Sequence, residues 1–178
     1  MLKFSSKKNG FTLIELIVVI GILAILASML LFILNTVEQF QKANDARRKS
    51  DLSQIQKSLE QYYQDYGDYP AVSGTTGSNA YEIVNFQNNQ AIPWGSSWQP
   101  YMNLLPKDPS YPSKTYVYYS SKDGQTYWLY ASLDVTSDPQ ICTSGGSGIC
   151  KSLSNNGIAS NACGGICNFA VSSPNANP

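Results

Sequence analysis

The sequence predicts an α+β protein in which a long N-terminal α-helix packs on a small head that contains an antiparallel β-sheet. Residues 16–34 are apolar apart from Ser28, and no proline occurs before Pro70. Further along, two segments rich in β-forming residues flank an Asp-Gly turn. A chain of 178 residues with a mean hydropathy of −0.20 has room for one membrane segment and one modest domain.

A short basic and polar leader precedes the apolar run. It contains Lys3, Lys7 and Lys8 and ends at Gly10, directly before Phe11. A secretory signal peptide carries its small-residue cleavage site after a shorter apolar region. Here the small residue comes first, so cleavage after Gly10 would remove the lysines and leave the apolar segment on the mature chain. The lysines predict a cytoplasmic N-terminus and an exported C-terminal part.

The apolar run is long enough to span a bilayer. Its 19 residues would extend roughly 28 Å as an α-helix, against about 30 Å for the hydrocarbon core. We therefore expect a leader over residues 1–10 and a single transmembrane helix over residues 11–34.

Helical spacing continues beyond the apolar run. Apolar residues recur at intervals of three and four as one stripe: Leu52, Ile55, Leu59, Tyr62 and Tyr66. A helix over residues 11–66 would be roughly 84 Å long, with residues 35–69 as its amphipathic continuation. Residues 67–70, Gly-Asp-Tyr-Pro, mark its end, because glycine is favoured just past a helix and proline shortly after.

A mixed-charge segment covers residues 42–51, Lys-Ala-Asn-Asp-Ala-Arg-Arg-Lys-Ser-Asp. These side chains suit contact with lipid headgroups or with acidic groups on an adjacent copy of the chain. They equally suit a solvated helix face, since exposed charge pairs usually contribute less than about 1 kcal/mol.

Residues 70–141 predict a long connection followed by a β-hairpin. Trp94 and Trp98 stand among prolines in the connection. They either fill the core beneath loops or form a carbohydrate-binding surface, and a core role is the commoner one in a small domain. Residues 115–120 and 126–133 are rich in β-formers, and the turn at Asp123-Gly124 between them favours a hairpin.

These residues carry a resemblance to a known family. Gly10, Phe11, residues 12–15 (Thr-Leu-Ile-Glu) and the apolar run resemble the type III signal of type IV prepilins and type II secretion pseudopilins. Residues 62–70, 104–109 and 115–134 look like the head of the major pseudopilin of type II secretion. The resemblance implies a type IV pilin-like fold, cleavage after Gly10 and N-methylation of Phe11.

The resemblance also implies partners and a location. The subunit would wait in the cytoplasmic membrane and then enter an extracytoplasmic or cell-surface filament. The expected partners are further copies of the chain in a helical homopolymer, the prepilin peptidase and methyltransferase, an inner-membrane assembly platform with its ATPase, and minor pseudopilins or pilins.

Glu15 is the candidate assembly residue together with Phe11. A carboxylate inside a membrane segment costs about 2.5–3.5 kcal/mol on insertion scales. In a filament, a neighbouring subunit shifted by about one turn would bring its Phe11 α-amine beside Glu15, and low dielectric would strengthen that pair. The alternative is that Glu15 extends to nearby lipid headgroups.

A calcium site is a weaker expectation. The resemblance implies a structural calcium ion in the loop after the hairpin, where this chain has Asp134 and Asp138. Calcium usually takes six to eight oxygen ligands, and loop aspartates that cap turns explain the segment equally well. We therefore expect no required cofactor, with calcium as the one candidate.

Four cysteines lie in the C-terminal segment, residues 142–178: Cys142, Cys150, Cys163 and Cys167. An even number in an exported domain suggests disulfide bonds, for which three pairings exist. One of these pairings is local and joins Cys142 to Cys150 and Cys163 to Cys167. The others bridge a longer part of the segment and would restrict the unfolded chain more. A zinc site of four thiolates fits the spacing poorly.

Residue chemistry argues against an enzyme. The chain has no histidine and no phosphate-binding P-loop motif. Glu82 with Asp108, or Asp123 with Asp134, are imaginable carboxylate pairs of a glycosidase, but surface solubility explains scattered acids more simply. Removal of the leader lysines leaves nine basic against twelve acidic residues, which predicts no nucleic-acid surface.

The sequence therefore predicts a non-enzymatic structural subunit of a type II secretion pseudopilus or related type IV filament that supports protein secretion. One alternative is a type IV pilus major or minor pilin, which serves adhesion, motility or DNA uptake. Another is a membrane-anchored binding module that uses Trp94, Trp98 and the cysteine segment to hold a ligand without polymerising.

Overall fold

The computed structural model describes residues 10–33, 36–74, 80–142 and 148–177, with the backbone only over residues 30–33. The chain forms two compact units, the first ending at Gln39 and the second beginning at Phe40. We call the second unit the head. The leader residues 1–9 lie outside the described residues.

Two helices make up the N-terminal part of the chain. Helix α1 covers Leu13–Ile33 and helix α2 covers Thr36–Tyr66. These two elements cover most of the helix predicted over residues 11–66. Its continuity stays a prediction, because residues 34 and 35 lie outside the described residues. In the part of the chain that the structure describes, no helix combines the length and the apolar character needed to cross a membrane.

Helix α1 carries apolar side chains on every side. From Phe11 to Met29 every residue is exposed, and even the least exposed large apolar side chain, Val19, is 50% accessible. An uninterrupted apolar surface of this kind is unusual in a monomeric soluble protein and marks a protein or membrane interaction surface.

Helix α2 buries the predicted stripe in the head. Leu52, Ile55 and Leu59 are fully buried and Tyr62 is 5% exposed. Tyr66 departs from the prediction, because it is 44% exposed. Its ring packs at a tilt against that of Tyr62, with ring centroids 4.5 Å apart. The helix ends where the sequence indicates, because Gly67 adopts a positive φ of 79° and its N–H donates to the carbonyl of Tyr63.

Over its described residues, the head has five strands in two sheets. Strands β1 (Ile83–Asn85) and β2 (Gln90–Ile92) form a small antiparallel hairpin. Strands β3 (Val117–Ser120), β4 (Tyr127–Ala131) and β5 (Phe169–Ser172) form an antiparallel sheet in the order β3-β4-β5. The predicted hairpin is β3–β4, with Ser120 opposite Tyr127.

Three of these strands, β1, β2 and β5, were absent from the sequence-based prediction. The β1–β2 hairpin lies inside the region interpreted as a long connection, and β5 lies in the C-terminal segment. Each strand has only three or four residues, too few for a two-residue alternation to stand out from its surroundings.

Aromatic residues fill the core between α2 and the main sheet. Trp94 and Trp98 are 8% and 3% exposed, so both tryptophans serve the core, as predicted. Trp98 packs against Tyr62 with ring centroids 5.9 Å apart, and Trp94 meets Tyr116 edge-on at 5.7 Å. The alternative interpretation, that these two rings form a carbohydrate-binding surface, is therefore wrong.

A second cluster ties the C-terminal segment to the outer face of the sheet. Disulfide bonds join Cys142 to Cys150 and Cys163 to Cys167, which is the local pairing. Helix α3 (Lys151–Asn155) begins after Cys150 and buries Leu153 in this cluster. Because all four thiols are consumed, a zinc site made from them does not form.

The backbone next to these bonds holds the segment in place. Thr115 donates its N–H to the carbonyl of Cys163 at 3.0 Å, and Cys142 donates to that of Asn168 at 2.8 Å. Gly164 has φ +76°, and a Cβ there would overlap the carbonyl of Ser113. Glycine at this position therefore permits both the turn and the close approach.

Removal of either disulfide bond should destabilise the head. The bonds close short loops, for which the chain-entropy estimate is roughly 2–3 kcal/mol each. We expect Cys163→Ala/Cys167→Ala and, separately, Cys142→Ala/Cys150→Ala to lower the free energy of unfolding by about that amount. Urea unfolding of the full chain in detergent, followed by tryptophan fluorescence, measures this. Unchanged unfolding midpoints in both variants would contradict a stabilising role.

Candidate assembly site

The N-terminus of α1 is closed by a reciprocal capping arrangement. Glu15 Oε2 accepts hydrogen bonds from the Thr12 N–H and from Thr12 Oγ1, both at 2.9 Å. The Glu15 N–H in turn donates to Thr12 Oγ1 at 3.3 Å. Threonine before a helix with glutamate three residues later is the capping-box pattern, and each partner satisfies a backbone N–H that the helix leaves unpaired.

This arrangement brings the predicted assembly residues to one exposed place. Phe11 is 89% exposed, and Gly10, Thr12 and Glu15 are exposed as well. The carboxylate of Glu15 is held beside the chain segment that contains the predicted cleavage site. An exposed carboxylate on an apolar helix can pair with a cation supplied by another molecule.

The head contains a buried network of charged groups centred on Arg48. This guanidinium is fully buried, and its Nε and Nη2 donate to the two oxygens of Asp108 at 2.8 and 3.0 Å. Nη1 donates to Asp45 at 2.7 Å and to Asp134 at 2.6 Å, and Nη2 also donates to Ser110 Oγ at 3.0 Å. The five N–H groups of an arginine are thereby all used.

The network joins three distant parts of the sequence. Asp45 and Arg48 lie on α2, Asp108 lies in the connection before β3, and Asp134 follows β4. Asp45 also accepts the backbone N–H of Asp134, at 2.9 and 3.0 Å, and that of Val135 at 2.8 Å. The chain after β4 is therefore bound to α2 through both its backbone and its side chain.

Lysine side chains extend the network to the surface. Lys114 Nζ lies 2.5 Å from Asp134 Oδ1 and also donates to the carbonyl of Ser132. Lys49 Nζ donates to Asp138 Oδ2 at 2.6 Å. Two aspartates of residues 134–138 are thus each paired with a cationic side chain of the same molecule.

The electrostatic effects on pKa follow from these contacts. Burial alone would lower the pKa of Arg48, but hydrogen bonds to Asp108, Asp134 and Asp45 raise it above its usual value. Burial would raise the pKa of Asp134, but Arg48 and Lys114 together lower it below 3.8. The hydrogen bond from Lys49 is the main reason that the pKa of Asp138 is also lowered.

The interpretation of residues 42–51 as a surface charge segment is wrong for three of its members. Asp45, Arg48 and Asp51 are 2%, 0% and 7% exposed. The sequence contains a signal for the burial of two of them. Asp45 and Arg48 continue, towards the N-terminus, the intervals of three and four residues that define the apolar stripe from Leu52. Residues at this spacing share one face of a helix, so Asp45 and Arg48 lie on the same face as the buried stripe.

Comparison with known families identifies the chain. Residues 5–31 match the model described as Prokaryotic N-terminal methylation motif, and residues 35–149 match the model described as Type II secretion system (T2SS), protein G. The second match covers well over half of the sequence. The chain belongs to the type II secretion system protein G family. No curated protein and no solved structure shows significant similarity to it.

Family membership accounts for the fold and the functional class. This pseudopilin has the N-terminal helix and small antiparallel sheets of a type IV pilin-like protein. Its family consists of structural proteins and not of enzymes.

The carboxylates that resemble glycosidase pairs have structural partners in this pseudopilin. Both oxygens of Asp108 accept from Arg48. Asp123 accepts from Ser121 Oγ and the Gln125 N–H in the hairpin turn. Glu82 is buried, which raises its pKa despite a hydrogen bond from the backbone of Trp94.

The two calcium candidates of this pseudopilin, Asp134 and Asp138, accept hydrogen bonds from cationic side chains of the same chain. Asp134 accepts from Arg48 and Lys114 through different oxygens. Asp138 accepts from Lys49 through Oδ2 and from the Gln140 N–H through Oδ1. Over the described ranges, no group of three or more His, Cys, Asp or Glu residues is placed to hold a metal ion.

The stability of the head should depend on the charge of Asp134. A carboxyl whose pKa is lowered on folding contributes stability above its ordinary pKa of 3.8, and this is lost as pH falls through the folded value. We expect Asp134→Asn to lower the free energy of unfolding at pH 7 by at least about 1 kcal/mol. The difference from the parent chain should shrink as pH falls below about 4.

Urea unfolding at several pH values tests this expectation. The matched control is Asp65→Asn, since Asp65 is an exposed carboxylate on α2 that accepts a single bond, from Tyr101. A difference between Asp134→Asn and the parent that stays constant from neutral to acidic pH would show that the carboxylate charge is not responsible.

Proposed function

We propose that this pseudopilin is cleaved after Gly10, methylated on the new N-terminus of Phe11, and polymerised through its N-terminal helix into a fibre that supports type II protein secretion. The observation that carries the proposal is the exposed α1 surface with Glu15 at its start. This surface needs an apolar partner, and further copies of the same helix provide one.

Charge pairing supplies direction and register to this assembly. After cleavage, the α-amine of Phe11 is the first cation of the chain, one residue before Thr12. In a neighbour displaced along the fibre, that amine pairs with Glu15 and offsets the cost of a carboxylate among apolar side chains. A misplaced neighbour leaves Glu15 unpaired, so the pair favours one register.

The capping arrangement gives Glu15 a role before assembly. Its two bonds to Thr12 hold the carboxylate in a defined position at the helix start. Held in this way, Glu15 loses less side-chain freedom when it meets the amine of a neighbour.

Processing and assembly require further components in this proposal. A prepilin peptidase cuts the leader and methylates Phe11, an inner-membrane platform with its ATPase extracts subunits, and minor pseudopilins join the fibre. The subunit is anchored in the cytoplasmic membrane before extraction, with the head outside the cytoplasm. Its apolar run of residues 16–34 supports the anchored stage.

Replacement of Glu15 by glutamine separates its two roles. Glutamine can still accept from Thr12 in a capping box, but it carries no charge for the neighbour's amine. We expect Glu15→Gln to insert and to be cleaved normally, yet to reduce fibre yield at least about tenfold, since loss of one partner of a buried charge pair typically costs 2–5 kcal/mol. Immunoblots of sheared fibres and of membranes measure both quantities.

A matched control is Thr12→Ala, which removes the hydroxyl that bonds to Glu15 but keeps the charge. Fibres should form from Thr12→Ala at a higher yield than from Glu15→Gln. Normal fibres from Glu15→Gln would contradict charge pairing and leave only helix capping as the role of this residue.

Mass spectrometry of the fibre subunit tests the processing step. We expect a chain that begins at N-methylated Phe11 and lacks the first ten residues. Fibre subunits with an intact Met1 would contradict cleavage. Loss of secreted proteins from the medium in a strain lacking this subunit would assign the fibre to secretion; normal secretion with loss of adhesion or motility would favour a type IV pilus instead.

A further inference from the structure

We propose that Arg48 is an internal cation that holds the chain after β4 on α2, through Asp134, and makes the head of this pseudopilin independent of calcium. The proposal concerns the folding of the head, so it does not rest on cleavage, methylation or polymerisation. It depends on what occupies each carboxylate oxygen near the loop after β4.

Donor groups of the protein occupy the oxygens that calcium would need. In Asp134, Oδ1 lies 2.5 Å from Lys114 Nζ and Oδ2 lies 2.6 Å from Arg48 Nη1. In Asp138, Oδ2 accepts from Lys49 Nζ at 2.6 Å and Oδ1 from the Gln140 N–H at 2.9 Å. A calcium ion at Asp134 would lie close to an ammonium and a guanidinium group, and one at Asp138 close to an ammonium group, so each site would repel it.

Arg48 performs the joining role that a divalent cation has in a loop site. It gathers carboxylates from α2, from the connection before β3 and from the chain after β4, namely Asp45, Asp108 and Asp134. A metal ion joins segments in the same way, by coordinating oxygens from each. The guanidinium is anchored covalently to α2, so it needs no ion from solution.

The geometry around Arg48 leaves none of its donors unsatisfied. Its contact with Asp108 is bidentate, at 2.8 and 3.0 Å, and the remaining N–H groups reach Asp45, Asp134 and Ser110. The surplus negative charge is balanced by Lys114 and by the backbone N–H groups that Asp45 receives from residues 134 and 135. The hydrogen bonds and charges around this buried guanidinium offset the desolvation penalty that an isolated one would carry.

Thermal unfolding of the full chain in detergent tests whether the head is independent of calcium. Trp94, Trp98 and Trp128 are the three tryptophans of the chain and all lie in the head, so fluorescence reports on its unfolding. We expect the melting temperature in EDTA and in about 5 mM calcium chloride to agree within about 1 °C, although weak extracellular calcium sites are largely occupied at that concentration. A saturable rise of several degrees with calcium, but not with magnesium, would overturn the proposal.

Substitution of two neighbouring arginines tests whether Arg48 holds the chain after β4 on α2. We expect Arg48→Met to lower the melting temperature in EDTA by roughly 10 °C or more, because three carboxylates lose their shared partner. Arg47→Met is the control, since its side chain is 63% exposed and lies 3.9 Å from Asp51; it should shift the temperature by less than about 2 °C. Equal shifts in the two variants would overturn the proposal.

A second substitution keeps the test decisive if Arg48→Met folds poorly. Asp108→Asn in the Arg48→Met background removes one of the uncompensated carboxylates, so the double variant should melt above Arg48→Met. Arg48→Lys keeps the charge with fewer donors and should fall between Arg48→Met and the parent. A double variant that melts below Arg48→Met would show that lost packing, and not unbalanced charge, causes the effect.

Discussion

The head depends on one buried guanidinium. Arg48 pairs with Asp45, Asp108 and Asp134 and so joins α2, the connection before β3 and the chain after β4. Buried ion pairs add little net stability over a well-packed apolar core, yet loss of one partner is costly. The network therefore mainly determines which segments of the head meet. Its net contribution to the free energy of unfolding is the smaller effect. The network places the loop after the sheet on the helix whose apolar stripe forms the core.

The first unit differs from the head in where its charged and apolar groups lie. Helix α1 exposes apolar side chains in all directions, and its charged group, Glu15, is held at its first turn by Thr12. In the Arg48 network of the head, charge is buried and paired within the chain; on α1, the charge is exposed and the apolar surface has no partner among the described residues. This contrast suits a subunit whose head folds by itself and whose helix is completed by neighbours.

Covalent bonds complete the C-terminal part of the head. The disulfide bonds Cys142–Cys150 and Cys163–Cys167 bracket α3 and precede β5, which pairs with β4 from Ala131 opposite Phe169 to Trp128 opposite Ser172. The segment has few large apolar residues of its own. Its short closed loops and its edge strand restrict a stretch that would otherwise bury too little surface to stay ordered.

The sequence by itself determined the features that depend on neighbouring residues. The leader and Glu15 motif, the stripe from Leu52 to Tyr62, the helix end at Gly67 and the β3–β4 hairpin all follow from spacings of a few residues. Only the tertiary structure decided the pairing of β5 and the two distant carboxylate partners of Arg48, Asp108 and Asp134, which lie 60 and 86 residues away. Local periodicity indicates which face of a helix or strand is buried. It does not indicate which distant segment covers that face, because many tertiary arrangements are compatible with the same pattern.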